Sequence, residues 1–192
     1  DYYSQPSSTI DIVNADPQNA QVVAKINLGN ESQPAGMFLS ADGNKLVVLA
    51  SKYETYYAYD TRGAEPAFST MLPYYHSDVY TYINVYDVTN KANPVLTRNF
   101  TASGSYFNSR MIGNDVYVIV SQPAQIYNDI VTIPSVYDEQ VKSDVAAASI
   151  YYVDSNQSDY YTFTSFYGLD ISNSAIPLTN MTVMMDGTST MY

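Results

Sequence analysis

Apolar and polar residues alternate along the centre of this chain, most clearly between residues 81 and 121. Ile83 and Val85 lie on one side of a two-residue period, which is the pattern of a β-strand with one buried face. Residues 116–120 read VYVIV, a nearly all-apolar run that favours a strand covered on both faces. The pattern predicts four strands, at 81–88, 95–100, 106–112 and 115–121.

Turn-forming residues separate these strands. Asp and Asn in the stretch Asp87-Val88-Thr89-Asn90 bond their own backbone and so initiate a turn. Pro94 precedes the next strand, where no amide donor is needed. Gly113 and Asn114 accept the positive φ of a tight hairpin.

The same unit recurs along the chain. The stretch at 87–90 is repeated as Asp-Ile-Ser-Asn at 170–173, and Pro94 as Pro177, both 83 residues later. Weaker copies occupy 10–28 and 37–49. Repeats of four short strands are typical of propeller blades.

Several stretches resemble known propeller families. FLSADGNKLVV resembles the Ser-x-Asp-Gly hairpin of many propeller repeats. YINVYDVTNKANPVLTRNF, SYFNSRMIGNDVYVIVSQPA and IYYVDSNQSDYYTFTSFYGLDI resemble a family of archaeal secreted proteins with a propeller domain distantly related to WD-repeat proteins. The resemblance implies a secreted or surface-anchored scaffold and brings no catalytic residue with it.

We therefore expect an all-β chain made of four-stranded antiparallel blades. Two complete blades are predicted at 36–100 and 106–183, with parts of two flanking blades at 10–28 and 187–192. In this register Val47, Leu49, Val118 and Val120 should be core residues. Residues 1–9 are predicted as a flexible arm and 10–192 as a partial propeller domain, so the chain is expected to be an internal piece of a longer protein or to be covered by neighbouring chains.

The two predicted blades are longer than usual. They span 65 and 78 residues, against about 40–45 for a plain blade, and the excess lies at 51–80 and 122–159. Both insertions are rich in tyrosine, a residue that interfaces favour; the alternative is that these tyrosines only pack onto their own blades. The candidate interface residues are Tyr53, Tyr56, Tyr57, Tyr59, Tyr74, Tyr75, Tyr127 and Tyr137.

Composition narrows the classes of partner. Only 14% of residues are charged and the net charge is −11, which argues against nucleic acid and anionic membranes. The low charge also suits an acidic outside milieu, since uncharged hydrogen-bonding groups do not titrate. The chain has no cysteine, so disulfides and thiolate metal sites are excluded. No stretch is apolar enough to span a membrane.

No catalytic constellation, metal site or cofactor is predicted. His76 is the single histidine and has no second imidazole with which to share a metal. Carboxylates such as Asp42, Asp87 and the pair Asp138-Glu139 read as turn residues rather than as a glycosidase pair. A Ca²⁺ loop at 154–159 is a weak alternative, because its spacing does not match an EF-hand.

Four Asn-x-Ser/Thr triplets mark candidate N-glycosylation sites at Asn30, Asn99, Asn156 and Asn180. Roughly three would arise by chance in this composition, so their number is no evidence. Their placement carries more weight, because two fall in predicted loops and two on predicted outer strands.

Three functions are compatible with these features. The first is a non-enzymatic binding or assembly module, secreted or at the cell surface, with other protein chains, surface glycans or the rest of its own propeller as partners. The second is an extracellular hydrolase whose active site lies outside this stretch. The third is a subunit of a surface layer or filament, with residues 1–9 reaching a neighbouring chain.

We predict that natively produced protein carries Asn-linked sugar on at least one of Asn30, Asn99, Asn156 and Asn180. Intact mass before and after chemical deglycosylation measures the sugar directly. An unmodified polypeptide mass in the native material would contradict the prediction.

Overall fold

The computed structural model describes residues 8–29, 32–58, 74–124, 126–127, 130–139, 141–152 and 160–186. Within them the chain is all-β apart from one 3₁₀ turn, Ala147–Ser149. The strands are β1 Thr9–Asn14, β2 Gln21–Asn27, β3 Ser32–Leu39, β4 Lys45–Ala58, β5 Tyr74–Asp87, β6 Val95–Ser103, β7 Ser105–Ile112, β8 Asp115–Pro123, β9 Ile126–Tyr127, β10 Ile130–Val131, β11 Ser135–Asp138, β12 Val141–Asp144, β13 Tyr151–Tyr152, β14 Tyr161–Asp170 and β15 Thr179–Asp186.

Two large sheets dominate the fold. The first has the strand order β12-β11-β6-β5-β4-β3 and is antiparallel throughout. The second has the order β13-β15-β14-β8-β7 and is antiparallel except for the β13–β15 pair. The segments 45–50 and 115–121 therefore lie in different sheets, as the repeat pattern predicts.

The prediction of four strands per sheet is wrong, because the sheets have six and five. The additional strands come from the insertion at 122–159, which was not predicted to join a sheet. β11 pairs with β6 at the edge of the first sheet, and β13 pairs with β15 at the edge of the second. An exposed edge presents unpaired backbone groups, so these short strands satisfy groups that four-stranded sheets would leave open.

The main core lies between the two sheets. Val47 and Leu49 of the first sheet and Val118 and Val120 of the second are at most 1% exposed, which confirms their prediction as core. They belong to one apolar cluster that spans both sheets. Because burial of each such side chain contributes about 1.5–3 kcal/mol, this cluster holds the sheets face to face.

The β1–β2 hairpin forms a third layer on the opposite face of the first sheet. Ile26 of β2 packs with Leu46 and Val48 of β4 and with Tyr86 and Val88 beside them. β1 begins at Thr9, which pairs with Asn27, so the predicted arm loses its last residue to a strand. Residues 187–192, predicted to begin another blade, lie outside the described residues.

The repeat seen in the sequence is also a repeat of hydrogen bonds. In each unit an aspartate carboxylate accepts from the amide two residues later, and the residue after that aspartate donates its N–H to the carbonyl of the facing hairpin turn. The matching pairs are Thr89 N to Asp87 Oδ1 (2.9 Å) and Ser172 N to Asp170 Oδ1 (2.7 Å), then Val88 N to Asn44 O (2.8 Å) and Ile171 N to Asn114 O (3.0 Å).

A single residue, Gly104, connects the two sheets. β6 ends at Ser103 and β7 begins at Ser105, and Gly104 has φ +107°, a conformation that glycine alone adopts readily. A Cβ there would lie 2.8 Å from Ser121 O and 2.8 Å from Val120 Cγ1. Both the backbone conformation and the available space therefore require glycine.

Arg98 joins three parts of the fold through one nearly buried guanidinium, whose side chain is only 10% exposed. Nη1 donates to Ile176 O at 2.7 Å, and Nη2 lies 3.6 Å from Asp138 Oδ2. The guanidinium also lies over the Phe100 ring, 4.5 Å from its centroid. Arg98 thus links β6, the inserted strand β11 and the loop that precedes β15.

The core predicts a strong effect of charge at Val118. Val118→Asp should lower the free energy of unfolding by about 3–5 kcal/mol, because the carboxylate would be buried without a partner. Val13→Asp is the matched control, since Val13 is 53% exposed, and it should change stability by less than about 1 kcal/mol. Urea denaturation followed by circular dichroism measures both, and equal effects would contradict the described core.

Candidate ligand-binding face

The face of the first sheet that carries the β1–β2 hairpin is covered only in part. Alternation along β5 places Tyr80 and Tyr82 on the same face as Tyr86, which packs beneath the hairpin. Tyr80 and Tyr82 are themselves half-buried and lie nearer the end of the sheet where both insertions leave it. This part of the face is the best candidate for a binding site.

Strand register forms a trough on this face. Thr101 of β6 pairs with Tyr82 on one side and with Tyr137 of β11 on the other. Ser103 of β6 likewise pairs with Tyr80. Small hydroxyl residues therefore form a floor along β6, with tyrosines on the two flanking strands about 10 Å apart. Lys142 of β12 pairs in turn with Tyr137. We call this surface the tyrosine trough; its residues are Tyr80, Tyr82, Thr101, Ser103, Tyr137 and Lys142.

The trough opens into a cleft of about 370 Å³ at the end of the sheets, whose lining includes Asp78, Tyr80, Tyr137 and Lys142. This volume lies within the usual range for small-molecule sites, about 300–1,000 Å³. We call it the end cleft.

Hydrogen bonds fix the wall of the end cleft that the second insertion supplies. Ser103 Oγ donates to Gln122 Oε1 at 2.7 Å, and Gln122 Nε2 donates to Thr132 O at 2.9 Å. The amide of Ser135 donates to Ser103 Oγ at 2.9 Å. Gln122 and Ser103 together thus hold the segment that leads into β11, and with it Tyr137.

A second depression of about 300 Å³ lies on the same face, on the other side of Tyr82. Ala50, Lys52 and Asn84 line it from β4 and β5, and Gly29 from the segment that follows β2. We call it the hairpin-side depression. Tyr80 lines the end cleft and Tyr82 lines the hairpin-side depression, so the Tyr80–Tyr82 column borders both hollows. Val79, Ser121 and Gln122 extend the end cleft to the ends of both sheets.

The lysines on this surface are paired with carboxylates. Lys52 Nζ lies 3.3 Å from Glu54 Oε1, and Lys142 Nζ lies 2.9 Å from Asp144 Oδ1. The hydrogen bond that Lys142 donates to Asp144 raises the pKa of Lys142. Burial, and then the nearby negative charge of Glu54, raise the pKa of Tyr82, and the Tyr82 hydroxyl also hydrogen-bonds to the Glu54 side chain. The surface is therefore rich in hydrogen-bonding groups and nearly neutral.

The predicted interface tyrosines fall in different places. Tyr137 lies in the trough, whereas Tyr53 is 55% exposed and pairs with Val79, which puts it on the opposite face of the sheet. Tyr56, Tyr57, Tyr74 and Tyr75 belong to the long β4–β5 hairpin and Tyr127 to β9, but their side chains lie outside the described part, as does all of Tyr59.

Sequence reasoning did not select Tyr80 and Tyr82 as interface residues. The available signal was their spacing of two, which puts both on one face of a strand. They become part of a candidate binding surface only because Tyr137 lies on the other side of β6. Tyr137 reaches that position through the pairing of β11 with β6, which joins residues far apart in the chain.

The candidate glycosylation sites are only partly described. Asn180 is exposed on β15, and Asn99 is partly buried on β6 opposite Asn84; Asn30 and Asn156 lie outside the described residues. The prediction that 95–100 is an outer strand is wrong, because β11 pairs with the end of β6 from Phe100 onward. Asn99 lies next to the start of this pairing.

The carboxylates considered for catalysis are used in turns and ion pairs. Asp87 lies 2.9 Å from Lys45 Nζ, and this hydrogen bond, with that from the Thr89 amide, holds the pKa of Asp87 well below its usual range. Ser40 Oγ and the Asn44 amide lower the pKa of Asp42 in the same way. The side chain of His76 and residues 154–159 lie outside the described part. Among the residues that are described, no group of three potential metal ligands occurs.

The chain consists of two β-sheets packed face to face, and the same hydrogen bonds recur at the turns of both, which is typical of an all-β repeat protein. The family comparison identifies the kind: residues 2–192 match the Beta propeller domain family, and the chain belongs to it. No curated protein and no solved structure matches the chain. Across the described ranges, no helix has the length and hydropathy needed to cross a membrane.

The anchoring role of Gln122 can be tested by Gln122→Leu. The substitution removes both side-chain hydrogen bonds of Gln122 and should lower the free energy of unfolding by about 1–2 kcal/mol. It should also speed amide hydrogen exchange between residues 132 and 137, because this segment loses its attachment. Gln33→Leu is the matched control, since Gln33 is exposed on β3. Unchanged exchange in Gln122→Leu would show that the segment is held by other contacts.

Proposed function

We propose that this chain is part of a secreted or cell-surface propeller that acts as a non-enzymatic binding or assembly module. The observation that carries the proposal is the tyrosine trough, a concave, nearly neutral surface that the β1–β2 hairpin leaves uncovered. Tyrosine supplies rigid contact area together with a hydrogen-bonding group, and binding surfaces favour it for that reason.

We further propose how the sheets correspond to blades. The first sheet would be one blade and the second sheet the next, each enlarged at its outer edge by strands of the second insertion. β1–β2 would be the outer half of the preceding blade, and the residues after β15 would begin a fourth. The repeated turn bonds and the apolar contact between sheets support this assignment.

An extracellular location rests on composition and on the resemblance to archaeal secreted proteins. Tyrosine alone supplies 21 of 192 residues, while charged residues make up only 14%, against about 25% in typical soluble domains. A surface of uncharged hydrogen-bonding groups suits a protein exposed to changing pH, because such groups do not titrate.

The proposal is tested by co-sedimentation with the envelope fraction of cells that naturally produce the protein. Wild-type chain should bind saturably. The double variant Tyr82→Ala/Tyr137→Ala should bind with an affinity at least about tenfold lower, because both sides of the trough lose their rings. Circular dichroism and thermal unfolding establish that the variant is folded.

Tyr152→Ala is the matched control, because Tyr152 is 68% exposed and lies on β13, away from the trough. It should bind like the wild type. Absence of saturable binding by the wild type would overturn the proposal, and so would release of reducing sugar or of peptide from the envelopes by the purified chain.

A further inference from the structure

The tyrosine trough and its two hollows point to one class of ligand. We propose that this surface binds a neutral oligosaccharide chain that lies across the strands of the first sheet. The inference rests on the proposed function and specifies the partner: a surface glycan rather than a protein.

The side chains suit a sugar. The faces of tyrosine rings are apolar and their hydroxyl groups are polar, which matches a pyranose ring with its C–H faces and equatorial hydroxyls. Tyr82 and Tyr137 flank Thr101 at the same level of the sheet, and Asn84 lines the hairpin-side depression. Ligand hydroxyls would therefore meet hydroxyl and amide groups, and ligand C–H faces would meet rings.

The charges favour a neutral ligand over an anionic one. Lys52 and Lys142 are neutralised by Glu54 and Asp144, and the whole chain carries a net charge of −11. Phosphorylated or uronic-acid polymers require unpaired cations and would be repelled by this field.

The shape favours a chain over a single ring. The end cleft and the hairpin-side depression have volumes of about 370 and 300 Å³, and both border the Tyr80–Tyr82 column. From Ser32 on β3 to Lys142 on β12 the surface crosses six strands, which is about 24 Å at normal strand spacing. A trough only about 10 Å between its tyrosine-bearing strands admits an extended chain but not the surface of a folded protein.

The test is isothermal titration calorimetry, with saturation-transfer NMR, of the folded chain with defined probes. The neutral probes are pentasaccharides of glucose, mannose and N-acetylglucosamine; pentagalacturonate is the anionic probe and pentalysine the basic one. At least one neutral pentasaccharide should bind with a Kd of about 10 μM to 1 mM. Its monosaccharide should bind about tenfold more weakly, because it fills one hollow only.

Variants locate the binding. Tyr82→Ala/Tyr137→Ala should weaken the pentasaccharide about tenfold or more, whereas Tyr82→Phe/Tyr137→Phe should lose less, because the rings remain. Tyr152→Ala should leave the Kd unchanged. The phenylalanine pair keeps the proposal testable if the alanine pair does not fold.

Two results would overturn the inference. One is that no neutral pentasaccharide binds, and the other is that binding is unchanged in both tyrosine pairs. If envelope binding depends on the trough but only pentalysine binds in solution, the proposed binding function holds and the ligand is a basic peptide instead. If a pentasaccharide binds at the trough but the envelopes do not, the ligand class holds while the cell-surface function fails.

Discussion

The arrangement of this protein depends on the one-residue connection between its two sheets. Gly104 passes the chain from β6 to β7 while its N–H donates to Val79 O (2.7 Å) and its carbonyl accepts from Thr81 Oγ1 (2.9 Å). A link this short leaves the second sheet little freedom, so the apolar faces of the two sheets meet in one core cluster. It also brings the end of β8, where the second insertion begins, close to Ser103. The insertion can then return to the first sheet, and the end cleft forms beside the link.

Local patterns were enough to predict most of the strands and their turns. Alternation in β5, the apolar run in β8, and the paired turns at Asp87 and Asp170 all express interactions between residues close in sequence. The repeat carried this further, because two copies of one turn imply two copies of the unit around it. The buried positions Val47, Leu49, Val118 and Val120 follow from the same alternation.

The candidate ligand-binding face could not be predicted in this way. The short strands β11, β12 and β13 have only two to four residues each, which is too short for a periodic signal. They form strands because they hydrogen-bond to neighbouring strands at the sheet edges. Tyr137 enters the trough only through the pairing of β11 with β6. Arg98 is a similar case, since its partners Asp138 and Ile176 lie 40 and 78 residues further along the chain. Such contacts are properties of the assembled sheets rather than of any local stretch.

The pairing of β11 with β6 and of β13 with β15 has a consequence for how this chain can vary. A segment inserted between two strands is usually a surface loop that can be shortened without loss of the fold. Here the inserted segment pairs with the outer edges of both sheets. Its Asp138 also forms an ion pair with Arg98, whose side chain is nearly buried. Removing the segment would expose two hydrogen-bonding edges at once, which is the geometry from which intermolecular sheet growth starts. Changes to this loop that remove its short strands would therefore uncover the outer edges of both sheets and favour aggregation.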